Sequence, residues 1–253
     1  MIPPDRWLRG ENTLRISMKI LHLIWDDLDN PWVGGGGAKS THEINKRLAA
    51  RHEITVLTGS FPNSSPVIRD GVLYQRIGWG KSHLLSLVTY SLSIPFSIRK
   101  HKFDLIIDDF CAYSPAFAPL YTRKPVIALI QNLFETKAIQ KHKLLGIWAY
   151  LFEGLGLYLY RNFIAISPSI EGKIRRKKGP GARITCLTNA PDAFLFSLES
   201  HEEDFILFLG RLEIYQKGLD VLIKAFAAVA KTYPHIELKL AGPIHKKDKQ
   251  GLQ

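Results

Sequence analysis

Two stretches of the chain place chemically able residues at useful spacing. The first is Gly34-Gly35-Gly36-Gly37-Ala38, which follows the apolar run Met18–Trp25 and leads into a helical pattern. Glycines at a helix start let backbone N–H groups approach an anion at the positive end of the helix dipole, a geometry suited to phosphate. A dinucleotide fingerprint would want G-x-G-x-x-G directly after the strand, and an acid about 20 residues on to hold a ribose. Here the second strand-like run ends Leu57-Thr58-Gly59-Ser60, so NAD is not expected. The alternative for the glycines is a flexible surface loop. The second stretch is Gly210–Asp220, between the apolar run Phe205–Leu209 and another helical pattern. It carries Arg211 and Lys217 at the carboxyl end of a strand, where open α/β sheets bind ligands. A forked guanidinium and a point-charge ammonium suit a diphosphate, and two solvated cations are the alternative.

Other reactive residues read as structural. Asp26-Asp27 and Asp108-Asp109 each stand at a strand end. Neighbours on a strand point to opposite faces, so they are expected to be solvated loop acids rather than a metal site or an acid/base pair. Arg175-Arg176-Lys177-Lys178 closes a helix, where cations complement the dipole, so a solvated helix end is expected and nucleic acid is not. Cys111 and Cys186 have neither C-x-x-C spacing nor a nearby His pair. Neither a disulfide framework nor a structural metal is expected, and a reducing cytoplasm fits.

These residues need elements to hold them. From Met18, short β-branched runs alternate with longer helical patterns, the signature of βαβ units around a parallel sheet. Strands are expected near 19–25, 53–58, 72–77, 104–108, 126–130, 163–166 and 184–187. Helices are expected near 38–51, 83–100, 144–160 and 168–177. In the first helix Ile44 and Leu48 form the stripe expected to lie on the sheet. Leu144, Leu145, Ile147, Trp148, Leu151 and Phe152 are expected to face the core, with membrane contact as the alternative because Lys137, Lys141 and Lys143 precede them. This stretch holds Glu153 and is short for a membrane span of about 20 residues. After the polar stretch 199–204 a new pattern begins: a buried strand 205–209, a helix 217–231 and a strand 236–241.

The chain has 253 residues, 46% hydrophobic and 23% charged, which excludes collagen-like, low-complexity and wholly disordered classes. A net charge of +11 favours phosphate-rich partners or an anionic membrane surface. No apolar core follows the arginines of residues 1–17, so this segment reads as an extension rather than a signal peptide. The expected organisation is an extension at 1–17, a Rossmann-like domain at 18–188, a linker at 189–204 and part of a second Rossmann-like domain at 205–253. Two parallel strands and one helix leave a sheet face and both edges uncovered, so this second domain is expected to be incomplete.

The sequence resembles the family-four retaining glycosyltransferases of the GT-B fold. The resemblance is carried by Met18–Trp25 leading to Gly36-Gly37-Ala38, by His52–Thr58, Ile164–Ser167 and Asn189-Ala190-Pro191-Asp192, and above all by Gly210-Arg211-Leu212 with Lys217–Ile223. It implies transfer of a sugar with retention, from a nucleoside-diphosphate-sugar donor to a glycan or lipid-linked acceptor, with no cofactor and no obligatory metal. It implies that Arg211 and Lys217 clamp the donor diphosphate and that Gly36 and Gly37 approach the same phosphates. A role in cell-envelope polysaccharide or glycolipid synthesis follows, in the cytoplasm or peripherally at the inner face of a membrane. Three departures stand out. The family's Asn-Gly-x-Asp reads Asn189-Ala190-Pro191-Asp192. Gln131 stands where a histidine is common, and glutamine cannot act as a general base near neutral pH. The family's paired glutamates have no counterpart before Gln253, so the chain is expected to be a truncated, poorly active transferase. The alternatives are a noncatalytic binding subunit that borrows a donor domain, and a nucleotide-sugar epimerase of the same fold.

Overall fold

The computed structural model describes residues 17–179, 181–199, 203–212 and 214–243. All of the expected extension except Ser17, and the polar segment 244–253, lie outside the described residues.

The chain forms two compact units, Met1–Ala190 and Pro191–Gln253. The first is built on an eight-stranded sheet: β1 Lys19–Leu23, β2 Glu53–Gly59, β3 Val67–Arg69, β4 Val72–Ile77, β5 Leu105–Asp109, β6 Val126–Ile130, β7 Asn162–Ala165 and β8 Arg183–Cys186. The spatial order is β3-β4-β2-β1-β5-β6-β7-β8. Every pairing is parallel except β3 with β4. The carboxyl ends of β1, β2, β4, β5 and β6 therefore share one rim, and Cys111 and Cys186 stand at that same end of the sheet. The edge strand β3 adds to the sequence expectation. Its signal is Asp70-Gly71, whose positive φ values of 50° and 77° make the two-residue hairpin turn.

The helices of this unit are α1 Gly36–Ala49, α2 His83–Lys100, α3 Lys137–Leu159 and α4 Pro168–Lys178. Leu87, Tyr90 and Ile94 of α2, Leu157 of α3 and Ile174 of α4 share the main core with Leu21, Leu57 and Ile106 of the sheet. A smaller core of Ile20, Ile54, Val56, Val72 and Tyr74 is packed by Leu48 and Ala49 of α1. Ile44 does not join it. It is exposed, and α1 buries Ala38, Thr41, His42 and Asn45 instead. Most buried polar groups are hydrogen-bonded. Asn45 pairs with His22 on β1, and His42 reaches the Tyr74 hydroxyl at 2.9 Å and Asp70 at 3.0 Å. Burial lowers the His22 pKa to about 4, so this imidazole stays neutral.

Helix α3 overturns a second expectation. Leu144, Leu145, Ile147, Trp148 and Leu151 are exposed, and its buried face carries Ala149, Glu153 and Leu157. The sequence holds two apolar stripes, and the one with small residues lets the helix approach the sheet. At Gly156 an added Cβ would lie 2.3 Å from the Phe110 ring, so nothing larger fits without movement. Phe152 is half-buried against Phe117. Glu153 accepts the Phe134 N–H at 2.6 Å and pairs with Lys177 at 3.2 Å, which explains an acid within an apolar helix. The side chains of Lys137 and Lys141 lie outside the described residues. No described helix is long and apolar enough to cross a membrane. The basic end of α4 is exposed, as expected, and is also paired. Arg175 pairs with Glu171, and Lys177 with both Glu135 and Glu153.

The second unit pairs β9 Phe205–Leu209 in parallel with β10 Glu237–Ala241. The expected single helix between them is two, α5 Ile214–Lys217 and α6 Leu219–Thr232. Gly218, at φ +66°, breaks them apart in a conformation that glycine adopts without strain. Gly210 and Gly242 cross so closely that a Cβ on Gly242 would overlap the Gly210 carbonyl oxygen. Although Phe205–Leu209 reads as a buried strand, Ile206, Leu207 and Leu209 are exposed. In a parallel sheet such strands are ordinarily covered on both faces.

Candidate functional site

The carboxyl rim of the first unit gathers groups from β1, α1, β5 and β6. The glycine loop between β1 and α1 ends in extended Gly35, and α1 begins at Gly36 with no side-chain cap on its own strand of loop. Asp26 supplies the acceptor. Its Oδ2 receives the Gly35 N–H at 3.3 Å and its Oδ1 the Asp27 N–H at 2.8 Å. Burial raises its pKa to about 6 against these stabilising hydrogen bonds. A Cβ on Gly36 would meet nothing within 4 Å, so this residue opens onto free space. A Cβ on Gly37 would lie 3.1 Å from Gln131 Oε1. The glycine requirement is thus steric at Gly37, and its cause is the Gln131 amide packed on its bare Cα.

Gln131 follows β6 and donates its Nε2 hydrogen to Asp109 Oδ2, which also accepts from Thr41 Oγ1 at 3.2 Å. Asp109 ends β5, and loss of water raises its pKa to about 7. Its neighbour Asp108 turns to the other face of the sheet, is buried, and accepts a hydrogen bond from the Tyr160 hydroxyl. Burial raises it too to about 7. Asp27 is also buried. It takes a two-pronged ion pair from Arg76, at 3.0 and 3.1 Å, and the Thr58 hydroxyl at 2.8 Å. The four acids are therefore not solvated loop acids. Asp27 and Asp108 hold the scaffold, while Asp26 and Asp109 border the rim. Among the described residues no three His, Cys, Asp or Glu side chains group as metal ligands.

The structure brings Gly36, Gly37 and Gln131 together in the first unit. In the second, exposed Arg211 follows the carboxyl end of β9 after Gly210, and exposed Lys217 closes α5. Leu212 fixes that turn from beneath: it is buried, and its N–H bonds Pro243 at 2.9 Å. Two positioning contacts were missed from sequence. Thr41 is signalled by the polar stripe Thr41, His42, Asn45 at helical spacing. Asn189 accepts the Ser40 hydroxyl at 3.0 Å and ties the segment after β8 to α1, a long-range contact with no sequence signal. In the adjoining unit Asp192 caps the short 3-10 helix Ala193–Ser197 by accepting the Phe194 N–H.

Comparison with known proteins decides the family. The model of Glycosyltransferase Family 4 matches residues 34–193, well over half of the chain. The chain belongs to this family. The match runs from the glycine loop through Gln131 to Asn189 and Asp192, so the family's own pattern contains the parts of the rim that come from α1, β5 and β6. No curated protein sequence matches the chain. Among solved structures, Anabaena HepE in complex with UDP and glucose is similar at a TM-score of 0.60 and 14% identity, over 93% of this chain and 64% of that one. WaaG, a glycosyltransferase involved in lipopolysaccharide biosynthesis, is similar at 0.60 and 13%, over 92% and 66% respectively. A Listeria monocytogenes protein described as a UDP-N-acetylglucosamine 2-epimerase is similar at 0.52 and 11%, over 93% and 65%. The family-four chain spans about two thirds of the length of each. At these identities the likeness shows the fold, GT-B, with one Rossmann-like sheet and a βαβ unit of a second. Because a transferase and an epimerase share that fold, only the family match separates them.

Proposed function

We propose that the chain is part of a nucleotide-sugar-dependent glycosyltransferase that transfers a hexose or related sugar, with retention, to a glycan or lipid-linked acceptor in cell-envelope polysaccharide or glycolipid synthesis. The observation that carries this reading is the family match over residues 34–193, which takes in the glycine loop, Asp109 and Gln131. It also favours transfer over epimerisation. In this reading Arg211 and Lys217 hold the donor diphosphate, and the Gly36-Gly37 amides serve the same anion. The charge that grows on a departing diphosphate is the hard part of the reaction, and preorganised donors are worth about 3 kcal/mol each at such a site. Gln131 hydrogen-bonds substrate and moves no proton. A noncatalytic binding subunit would keep the acceptor rim and lose the dependence on Arg211 and Lys217.

Titration of the chain with UDP-glucose, ADP-glucose and GDP-mannose tests the donor site. At least one is expected to bind, and Lys217→Ala is expected to weaken it about tenfold to a hundredfold, the cost of a charge-assisted hydrogen bond. Equal affinity of wild type and variant for every donor would remove Lys217 from the site.

The reading extends to a peripheral position at the cytoplasmic face of a membrane. Leu84, Val88, Leu92 and Phe96 form an exposed stripe on α2, and Leu144, Trp148, Leu151, Leu155 and Tyr158 another on α3. Both helices pack on the same sheet face, and Lys81, Arg99, Lys100, Lys143 and Arg161 flank them. Exposed apolar area rimmed by cations suits an anionic lipid surface carrying an acceptor.

A further inference from the structure

Away from Gly37 and Gln131, the same rim holds an open surface hollow of about 550 Å³ where β2 and β4 end, lined by Ser60, Phe61, Asn63, Ser64, Trp79 and Lys81 among others. Its most unusual member is Trp79, 65% exposed yet held in a rigid frame. Gly78 and Gly80 flank it. A Cβ on Gly78, which sits at φ +83°, would lie 2.7 Å from Thr89 Oγ1, and one on Gly80 would lie 2.5 Å from the Phe61 backbone. The Trp79 N–H bonds Thr89 Oγ1 at 2.8 Å. The facing turn is closed by reciprocal bonds between Phe61 and Ser64, at 3.0 and 3.1 Å, and Arg76 lies over the Phe61 ring at 5.6 Å. The fold thus presses two loops together and leaves the Trp79 indole exposed beside the hollow, where its face is open to stacking.

We propose that this hollow is a distal acceptor subsite that binds a sugar ring of an extended glycan, with Trp79 as its stacking platform. The inference rests on the transferase reading and adds the length and chemical class of its acceptor. A pyranose offers an apolar C–H face to an indole and hydroxyls around its edge. Asn63, Ser60, Ser64 and Lys81 line the same hollow and supply hydrogen-bonding side chains of the kinds a sugar's hydroxyls use, although the Ser64 oxygen already accepts the Phe61 N–H. Distance sets the length. The order β4-β2-β1-β5-β6 puts four strand spacings, roughly 19 Å, between the strand before Trp79 and the strand before Gln131. One sugar cannot bridge that gap, so the ring at Trp79 belongs to a part of the acceptor several units from its reacting end. Trp79 is a binding residue and takes no part in the chemistry.

The test applies the chain to a glycan array of hexose, hexosamine and uronic-acid oligomers, in parallel with flotation on anionic vesicles and titration with the nucleotide sugars above. Wild type is expected to prefer longer oligomers of at least one series. Trp79→Ala is expected to lower that binding about tenfold or more, and Trp79→Phe to keep most of it because the aromatic face survives. Nucleotide-sugar binding should be unchanged in both variants, so failure of the donor site and failure of the subsite register separately. No retention on any oligomer, retention unaffected by Trp79→Ala, or a Trp79→Ala defect seen only on vesicles would each overturn the proposal, the last by assigning the ring to a lipid interface.

Discussion

Asp26 lies against the Gly35 amide just before the start of α1, and burial raises its pKa to about 6. Burial favours the neutral form, so as pH falls from about 7 to 5 the negative charge beside the Gly36-Gly37 segment disappears, and with it a repulsion of any anion bound there. The diphosphate of a nucleotide sugar carries no proton to lose in that range. Its affinity is therefore expected to rise as pH falls, and Asp26→Asn should give tight binding at every pH; a flat wild-type profile would separate the glycine loop from the donor. The two adjacent glycines should differ as well. Gly36→Ala enters open space, whereas Gly37→Ala meets Gln131 at 3.1 Å and is expected to shift the Gln131–Asp109 hydrogen bond, which amide chemical shifts would report. Arg211→Lys should weaken donor binding even though charge is kept, because an ammonium cannot replace a planar fork. At this scale the sequence showed which residues stand at strand ends and not what surrounds them. Asp108 and Asp109 look alike in a row of letters, and only strand alternation plus the packing of Tyr160 and Thr41 separates a scaffold acid from a rim acid.

Helices are where burial was hardest to read. In α3 both stripes are apolar over part of their length, so periodicity gave two admissible faces, and bulk pointed to the wrong one. Close approach at Gly156 decided the matter, and Gly156→Ala is expected to destabilise the first unit by about 1–3 kcal/mol through overpacking against Phe110, measurable by urea unfolding. Strand positions were more legible, since parallel strands buried on two faces are continuous apolar runs. The exception is β9, whose run is present but whose covering is absent among the described residues. The outward stripes of α2 and α3 carry a further expectation. Binding to anionic vesicles should fall as salt rises, because screening shortens the reach of the flanking cations. Leu92→Glu combined with Leu151→Glu should abolish it without changing donor affinity. Equal binding to neutral vesicles would leave the cations out of the interaction.

Across the whole molecule, stability should carry opposing proton linkages. Folded Asp108 keeps its proton to about pH 7, while the unfolded chain releases it near 3.8, so its contribution is full below 3.8 and is lost as pH rises toward 7. His22 runs the other way: its folded pKa is about 4 against 6.5, so its contribution is present above 6.5 and lost as pH falls toward 4. Each slope is at most about 1.4 kcal/mol per pH unit. Denaturant melts across this range should show the stability of Asp108→Asn rising relative to wild type as pH increases, and a constant difference would mean that Asp108 titrates normally. The polarity of the parallel sheet has one more outcome. Both thiols of the chain, Cys111 and Cys186, stand at the carboxyl end of their strands, so an alkylating reagent marks that end alone. Burial pushes the Cys111 thiol up, so its alkylation is expected to be slow near neutral pH and to speed up as pH rises.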